Sequence, residues 1–600
     1  YVLRPEHALA HSRGDIHIHD LDFYMLTINC CQIGLKQLFK RGFSTGHGFL
    51  REPQSIQSAA ALCCIAIQSN QNDMHGGQSI PLFEYDLAPY VAKSYSKHVG
   101  RVMEICLRKE KMEFSGIRAL CDDIYSNRNT VLDAEAQEQI KNYVETFLHN
   151  EGDKNAKSDA TYVIDESLKL TERETYQAME ALIHNLNSMQ SRAGAQVPFS
   201  SINYGTGTTA EQRMIMKNVL LATDAGLGGG ETPIFPVQIF KVKDGINTKK
   251  GDPNYDLFEL ACKVSAKRLF PNFSFLDAPF NIKYYKKGHP ETEVALMGCR
   301  TRVVSNDFDK TKEVIPGRGN LSFTSVNLPR LGIEAHGSIS KFYDSLDRTF
   351  SMVFEQLMDR FNIIAQKRVL NYPFLMGQGI WIGSDKLEPD DCIEHIIKHG
   401  TMSVGFIGLA ETLKALCGKH HGESSEANEL GMEIVRHMRA LTDRHTLETG
   451  LNFSLFSTPA EGLSGRFVKI DKKLYGKISG VTDRAYYTNS FHVPVYYDIS
   501  AADKIKIEGP YHELCNAGSI SYVELDGDLT KNIEAFEKVV LYMKECGVGY
   551  GSVNHPVDRC PVCNYVGVIN DVCPRCGRKD GEGITIEHLR RLGVDCNCFD

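Results

Sequence analysis

The sequence of 600 residues holds a single tryptophan and no run of ~18 or more apolar residues, so no transmembrane helix is expected. Positive charge is not in excess: Lys and Arg number 67 against 75 Asp and Glu, a formal charge of −8. A sequence-independent grip on nucleic acid needs a cationic surface, so direct nucleic-acid binding is not expected. Small anions must be held by local devices instead. There is no signal peptide at the start, no internal repeat and no low-complexity tract. The 18 cysteines are therefore read as thiols or metal ligands in a reducing, cytoplasmic compartment, not as disulfides. Hydrophobic residues make up 42% and charged residues 24%, as in an ordinary globular protein of several domains or one large one. The chain starts at Tyr1 and stops at Asp600, and both ends are expected to be cuts.

The pattern along the chain predicts an α/β protein. Residues 27–31 form a short apolar run that suits a buried strand, and 58–68 suit a core helix ended by Gly76-Gly77. The segment at about 100–196 is rich in Glu, Lys, Gln and Asn. Thr171-Glu172-Arg173-Glu174 reads there as a capping box, with Tyr176, Met179, Ile183 and Leu186 at helical spacing and Gly194 closing the helix. This segment reads as a helical excursion, either a partner or dimer surface or a layer covering the core. Strands are expected at 235–240, 321–328, 403–407 and 452–456, with helices at 258–269, from 409 and near 460. Strands interleaved with helices imply a parallel sheet or barrel. A separate small module is expected over 547–600, after a main domain spanning 1–546.

Within that module Cys560-x-x-Cys563 and Cys573-x-x-Cys576 can place four thiolates tetrahedrally around a structural Zn²⁺; a pair of disulfides is the competing reading. No His accompanies them, so catalysis by this metal is not expected. Met297-Gly298-Cys299-Arg300 sets a cysteine after a glycine and before a cation that could lower a thiol pKa, although a lone Cys is more often a small buried hydrophobe. Ser457-Thr458-Pro459-Ala460-Glu461, between an apolar strand and a helix, reads as an N-cap or as an anion site of free amides. Asp244-Gly245-Ile246-Asn247 and the segment from Lys249 to Asn254 read first as a solvated loop.

Together these strings resemble the anaerobic (class III) ribonucleoside-triphosphate reductases, a glycyl radical enzyme family. The resembling strings include Gly14-Asp15-Ile16-His17-Ile18-His19-Asp20, Asn29-Cys30, Ser44-Thr45-Gly46, Lys249-Lys250-Gly251-Asp252-Pro253-Asn254, Met297-Gly298-Cys299-Arg300 and Asn327-Leu328-Pro329-Arg330. They continue through Ser457-Thr458-Pro459, Tyr487-Thr488-Asn489-Ser490-Phe491-His492 and the four zinc cysteines. The resemblance implies a ten-stranded α/β barrel of two antiparallel five-stranded halves, with an internal finger loop carrying a thiyl radical on Cys299. Cys30 matches the second active-site cysteine, and Asn320 the asparagine beside the substrate in formate-using members. Ser457 and Thr458 match the loop holding substrate phosphate, and Asn29, His17 and His19 are expected to line the pocket.

The same resemblance implies ribonucleoside triphosphate substrates, dNTP and ATP effectors, formate as reductant, a homodimer, and a radical-SAM activating enzyme carrying an iron–sulfur cluster. The family stores its radical on a glycine in an Arg-Val-x-Gly-Tyr-like loop after the zinc cysteines. No such string occurs here: Gly547-Val548-Gly549-Tyr550-Gly551 precedes them, and Gly593 lacks the flanking tyrosine. The chain is therefore expected to stop short of that loop, and an N-terminal ATP-cone would lie before this window. Two other readings stay open. One is a different glycyl radical enzyme using the tandem Cys30-Cys31; the other is a catalytically inactive nucleotide-binding relative. Cys31, Cys63 and Cys64 also leave a dithiol redoxin open as reductant.

Overall fold

The computed structural model describes residues 2–109, 114–190, 197–460 and 462–589. In chain order its strands are β1 (Ile16–Ile18), β2 (Cys31–Gln32), β3 (Phe43–Ser44), β4 (Phe49–Leu50), β5 (Gln78–Ile80), β6 (Ser200–Tyr204), β7 (Val237–Val242) and β8 (Asn272–Phe275). There follow β9 (Asn320–Asn327), β10 (Thr401–Ile407), β11 (Asn452–Ser457), β12 (Ser521–Glu524), β13 (Tyr550–Asn554), β14 (Val557–Arg559), β15 (Val566–Gly567) and β16 (Glu587–Leu589). Most strands of the large sheets are buried along their whole length, as expected where helices cover a parallel sheet.

Two sheets carry the fold. A seven-stranded sheet runs β12-β13-β8-β7-β6-β5-β2, and a four-stranded sheet runs β1-β9-β10-β11. Strands β2, β5, β6, β7 and β8 are mutually parallel, and β13 meets β8 antiparallel. Strands β9, β10 and β11 are parallel, with β1 antiparallel on β9. Backbone hydrogen bonds join the sheets at both margins. On one side Cys30 N donates to Asn320 O (3.0 Å) and Gln32 N to Arg318 O (2.8 Å). On the other, Ala517 N donates to Leu455 O (2.9 Å) and Ser457 N to Gly518 O (3.2 Å). Of the strand expected at 27–31, Cys31 opens β2 and Ile28 makes an isolated bridge to Met74, while Asn29 and Cys30 lie in the connection between them.

The helical excursion comprises Phe83–Leu107, Ser115–Arg128, Ala134–Asn150 and Ala156–Ser188. It has a core of its own, with Tyr95, Val99, Ile124, Ile140, Leu148 and Val163 at its centre. The expected capping box at 171–174 is not a helix start. Thr171 lies in the middle of Ala156–Ser188, where its hydroxyl donates to Ser167 O at 2.7 Å. A threonine satisfied by the carbonyl four residues back leaves the helix intact, so the motif carries no boundary there. Gly194 lies outside the described residues.

At the other end β13 belongs to the seven-stranded sheet, ahead of the small sheet β15-β14-β16 that starts at Val557. The module expected from residue 547 therefore contributes its first strand to the main body. No described helix is long and apolar enough to cross a membrane.

Candidate active site

Cys299 sits at the tip of a loop closed by a bridge between Leu296 and Arg302. The bond from Met297 N to Thr301 O (3.0 Å) tightens it. Side chains of the sheet hold the loop in place. Gln32 of β2 donates to Ala295 O (3.2 Å), and Ser79 of β5 donates to Leu296 O (3.0 Å). Asn203 of β6 bonds both the N–H and the carbonyl of Leu296, and Ser201 accepts from Gly298 N (2.8 Å). A loop inside the sheets would otherwise bury unpaired amides; here polar strand residues satisfy them. Arg300 takes φ +112°, unusual for a residue with a Cβ. Its guanidinium donates to Cys299 O (2.6 Å) and to Thr458 O (3.2 Å), so one side chain ties the cysteine tip to the Ser457–Thr458 turn.

Cys30 lies on the facing segment, buried, its amide bonded to Asn320 O. Burial, and then the proximity of Cys299, hold the Cys30 thiol well above the usual cysteine range. Thr301 bridges the pair: its hydroxyl is 3.4 Å from the Cys299 sulfur and also hydrogen-bonds the Cys30 thiol. The structure thus brings together the two cysteines that the sequence separates by 269 positions (299 − 30). Cys31, Cys63 and Cys64 are buried in the core, and Cys64 turns toward Leu182 O (3.9 Å).

Asn320 opens β9. Its amide donates to Thr401 Oγ1 (3.0 Å) and Ser403 Oγ (2.8 Å) and its oxygen accepts from Asn29 Nδ2 (3.1 Å). Asn29 and Asn320 are therefore in direct contact beside Cys30. Five residues further along β9, Ser325 Oγ contacts both Thr458 Oγ1 (2.8 Å) and His19 Nε2 (2.9 Å). Gly405 of β10 makes that meeting possible, because a Cβ there would lie 2.1 Å from Thr458 Oγ1. His19 stacks on Phe323, with ring centroids 3.9 Å apart, and His17 meets His19 edge-on at 4.5 Å. Burial pushes both imidazoles down, His17 to about 2 and His19 to about 3, so both are neutral near pH 7. Ser457 is buried at the end of β11. Helix Leu463–Tyr475 follows the turn rather than starting near 460, and Glu461 lies outside the described residues.

Sequence reasoning missed Thr301, Ser325, Ser403 and Arg300's bond to Thr458. Polar residues in otherwise fully buried strands were the available signal, since each must find a partner inside.

The sulfurs of Cys560, Cys563, Cys573 and Cys576 all lie within 4.8 Å of one another. Cys560–Cys576 and Cys563–Cys573 are each 3.6 Å apart, and all four cysteines are free rather than disulfide-bonded. A tetrahedral site with Zn–S near ~2.3 Å needs sulfurs about 3.8 Å apart, so the set fits zinc. The two knuckles share one backbone geometry. Cys560 O accepts from Asn564 N and Cys573 O from Gly577 N, both at 2.9 Å, and Asn564 and Gly577 both have positive φ.

The family model for anaerobic ribonucleoside-triphosphate reductase matches residues 1–592. The Salmonella typhimurium protein of that name is 32% identical over 588 residues, covering 96% of this chain and 74% of that protein. The protein of that name from enterobacteria phage T4 is 32% identical over 585 residues, covering 95% of this chain and 85% of its own length. Among solved structures, the Thermotoga maritima anaerobic ribonucleotide reductase in complex with dATP and CTP superposes with a TM-score of 0.66 at 16% identity. It covers 98% of this chain and 83% of that one, a likeness of fold. On the family match along almost its whole length, the chain belongs to the anaerobic ribonucleoside-triphosphate reductases.

Proposed function

We propose that this chain reduces ribonucleoside triphosphates to 2′-deoxyribonucleoside triphosphates by thiyl-radical chemistry, under nucleotide control. The observation that carries the reading is the meeting of Cys299 and Cys30 across the Thr301 hydroxyl, with Asn320 beside them and Arg300 linking the tip to Thr458. In this reading the ten strands other than β1 in the two large sheets form a barrel around the loop, supported by the backbone bonds at both margins.

A glycyl radical, expected outside the described residues, supplies the oxidising equivalent. As a thiyl, Cys299 takes the C3′ hydrogen; the C–H bond breaks and an S–H bond forms. The 2′-hydroxyl leaves as water, its added proton balanced by the 3′-hydroxyl proton that is lost, which leaves a C3′ ketone and a radical at C2′. Cys30, a thiol kept protonated by burial, gives C2′ a hydrogen atom from the opposite face and becomes a thiyl. Formate gives its hydrogen atom to that thiyl, restoring Cys30, and departs as CO₂ while its remaining electron, with a proton from solvent, reduces the C3′ ketone to a ketyl radical. Cys299 then returns the C3′ hydrogen and is a thiyl again. Asn320 and Asn29 are placed to hold the small reductant or the sugar. The burial of Cys31, Cys63 and Cys64 in the core favours formate over a dithiol relay. Ser457, Thr458, His17 and His19 take the phosphates. Zinc on Cys560, Cys563, Cys573 and Cys576 has a structural role.

The helical segment is proposed as part of the effector and dimer surface. A radical-SAM activating enzyme is the expected partner, and the cytoplasm the expected compartment. The test is Cys299→Ala in the activated enzyme. Deoxynucleotide formation is expected to vanish while nucleotide binding measured by calorimetry persists, and retained turnover would refute the assignment. Turnover assayed with formate against a thioredoxin system decides the reductant.

A further inference from the structure

Beyond the Ser457–Thr458 turn lies a cavity of about 260 Å³ between β1 and the first turn of helix Leu463–Tyr475. His17 and His19 line one side, and Ala460, Gly462 and Arg466 the other. Whole-ligand pockets run from about 300 Å³ upward, so this space suits part of a ligand and not an entire nucleotide. Arg466 is the sole cation among its lining residues. The guanidinium donates to His11 O (2.5 Å) and sits 3.3 Å from His17 Nδ1. The charged group acting on it is another guanidinium, Arg330, whose own charge is already matched by Asp15 and Asp471. Arg466 therefore stands half-buried beside neutral imidazoles, with no ion pair among the described residues. A half-buried cation with no counter-charge gains from an anion arriving in the cavity.

The position along the fold says which part of the ligand that is. Asn320 starts β9 beside the two cysteines, Ser325 lies five residues up the strand against Thr458, and β1 places His17 opposite Ser325. The cavity is thus on the far side of Thr458 from the thiols.

We propose that Arg466, with His17, forms the subsite for the distal phosphate and decides between tri- and diphosphate substrates. This rests on the reading of Ser457 and Thr458 as the phosphate turn. It adds a specificity-determining residue that the sequence motifs do not contain.

The test measures binding of CTP and CDP to the unactivated chain by calorimetry, with dATP present at saturation to occupy effector sites, in wild type, R466Q and R466K. R466Q is expected to weaken CTP roughly ten- to a hundredfold, the loss of one charge-assisted contact, while CDP changes little. R466K keeps the charge without the fork and is expected to fall between. Circular dichroism verifies that each variant is folded. Equal loss for both nucleotides, no loss for either, or no CTP binding by wild type would each overturn the proposal. Cys299→Ala run in parallel separates this from the parent reading. Turnover by that variant sinks the thiyl assignment and leaves the Arg466 comparison standing.

Discussion

Gly319 has no space for a methyl group. A Cβ built there would lie 1.7 Å from the carbonyl oxygen of Cys30, which is backbone and cannot rotate away. The close approach lets Cys30 N reach Asn320 O at 3.0 Å, and it sets the height of the Cys30 sulfur against the Cys299 tip. Gly319→Ala is therefore expected to push the Cys30 segment away from β9. The stability cost is about 1–3 kcal/mol, as for other overpacked core sites. Turnover should fall far more than stability does, because a displaced hydrogen donor misses its geometry. Urea unfolding gives the first quantity and deoxynucleotide formation the second. A variant as active as wild type would show that Cys30 need not be held at this distance. The family resemblance pointed to Asn320, but the reason for the glycine before it is a contact with a residue 289 positions away (319 − 30).

At the scale of single strands, β9 shows why the site was only partly legible. Side chains on a strand alternate, so Asn320 and Ser325 should face opposite sides. The pairing with β10 slips between Thr401 and Met402, and beyond the slip Phe323 and Ser325 share the face of Asn320. Thr324, on the other face, bonds Gln356 of helix Ile339–Ala365. A one-residue bulge of this kind leaves no trace in the hydrophobic pattern, whereas the strand itself was expected at 321–328 and forms as Asn320–Asn327.

Strand β1 carries a different consequence. Its histidines are buried as neutral bases, with His17 pushed down to about 2 and His19 to about 3 from the usual 6.5. Above pH 6.5 neither folded nor unfolded chain holds these protons, so they cost nothing. As pH falls below 6.5 the unfolded chain takes them up and the folded chain does not. Each imidazole then lowers stability by up to about 1.4 kcal/mol per pH unit until its folded pKa is reached. Urea unfolding at a series of pH values between 6.5 and 4 should show this slope. His17→Asn should reduce it by about one proton, and an unchanged slope would mean that His17 is charged in the folded protein.

For the molecule as a whole, the alternation of strands and helices fixed the α/β class. The helical excursion was legible from its composition. Its internal boundary was not, because Thr171 and Glu174 imitate a cap within a helix that runs from Ala156 to Ser188. The C-terminal module was legible from four cysteines, yet its start was not, since β13 looks like module by composition and belongs to the main sheet by pairing. That placement makes a prediction. Only two residues separate β13 from β14, and the module rests on the main body through Arg559 against Glu231 (3.1 Å). Its own core is little more than Cys560, Ile569, Cys573 and Ile586. So small a core cannot order the 33 described residues from Val557 to Leu589 without the metal. Stripping zinc with a strong chelator is therefore expected to release one metal ion per chain and to expose four thiols to a thiol reagent. Proteolysis should open beyond β13 while both large sheets stay protected. Because the chain beyond Cys576 leads toward the segment where the family resemblance places the radical, turnover should be lost while CTP binding survives. Cys573→Ser should reproduce all of this without chelator. A variant that keeps its zinc, or a zinc-free protein whose residues after β13 resist protease, would show that the four sulfurs are packed for some other reason.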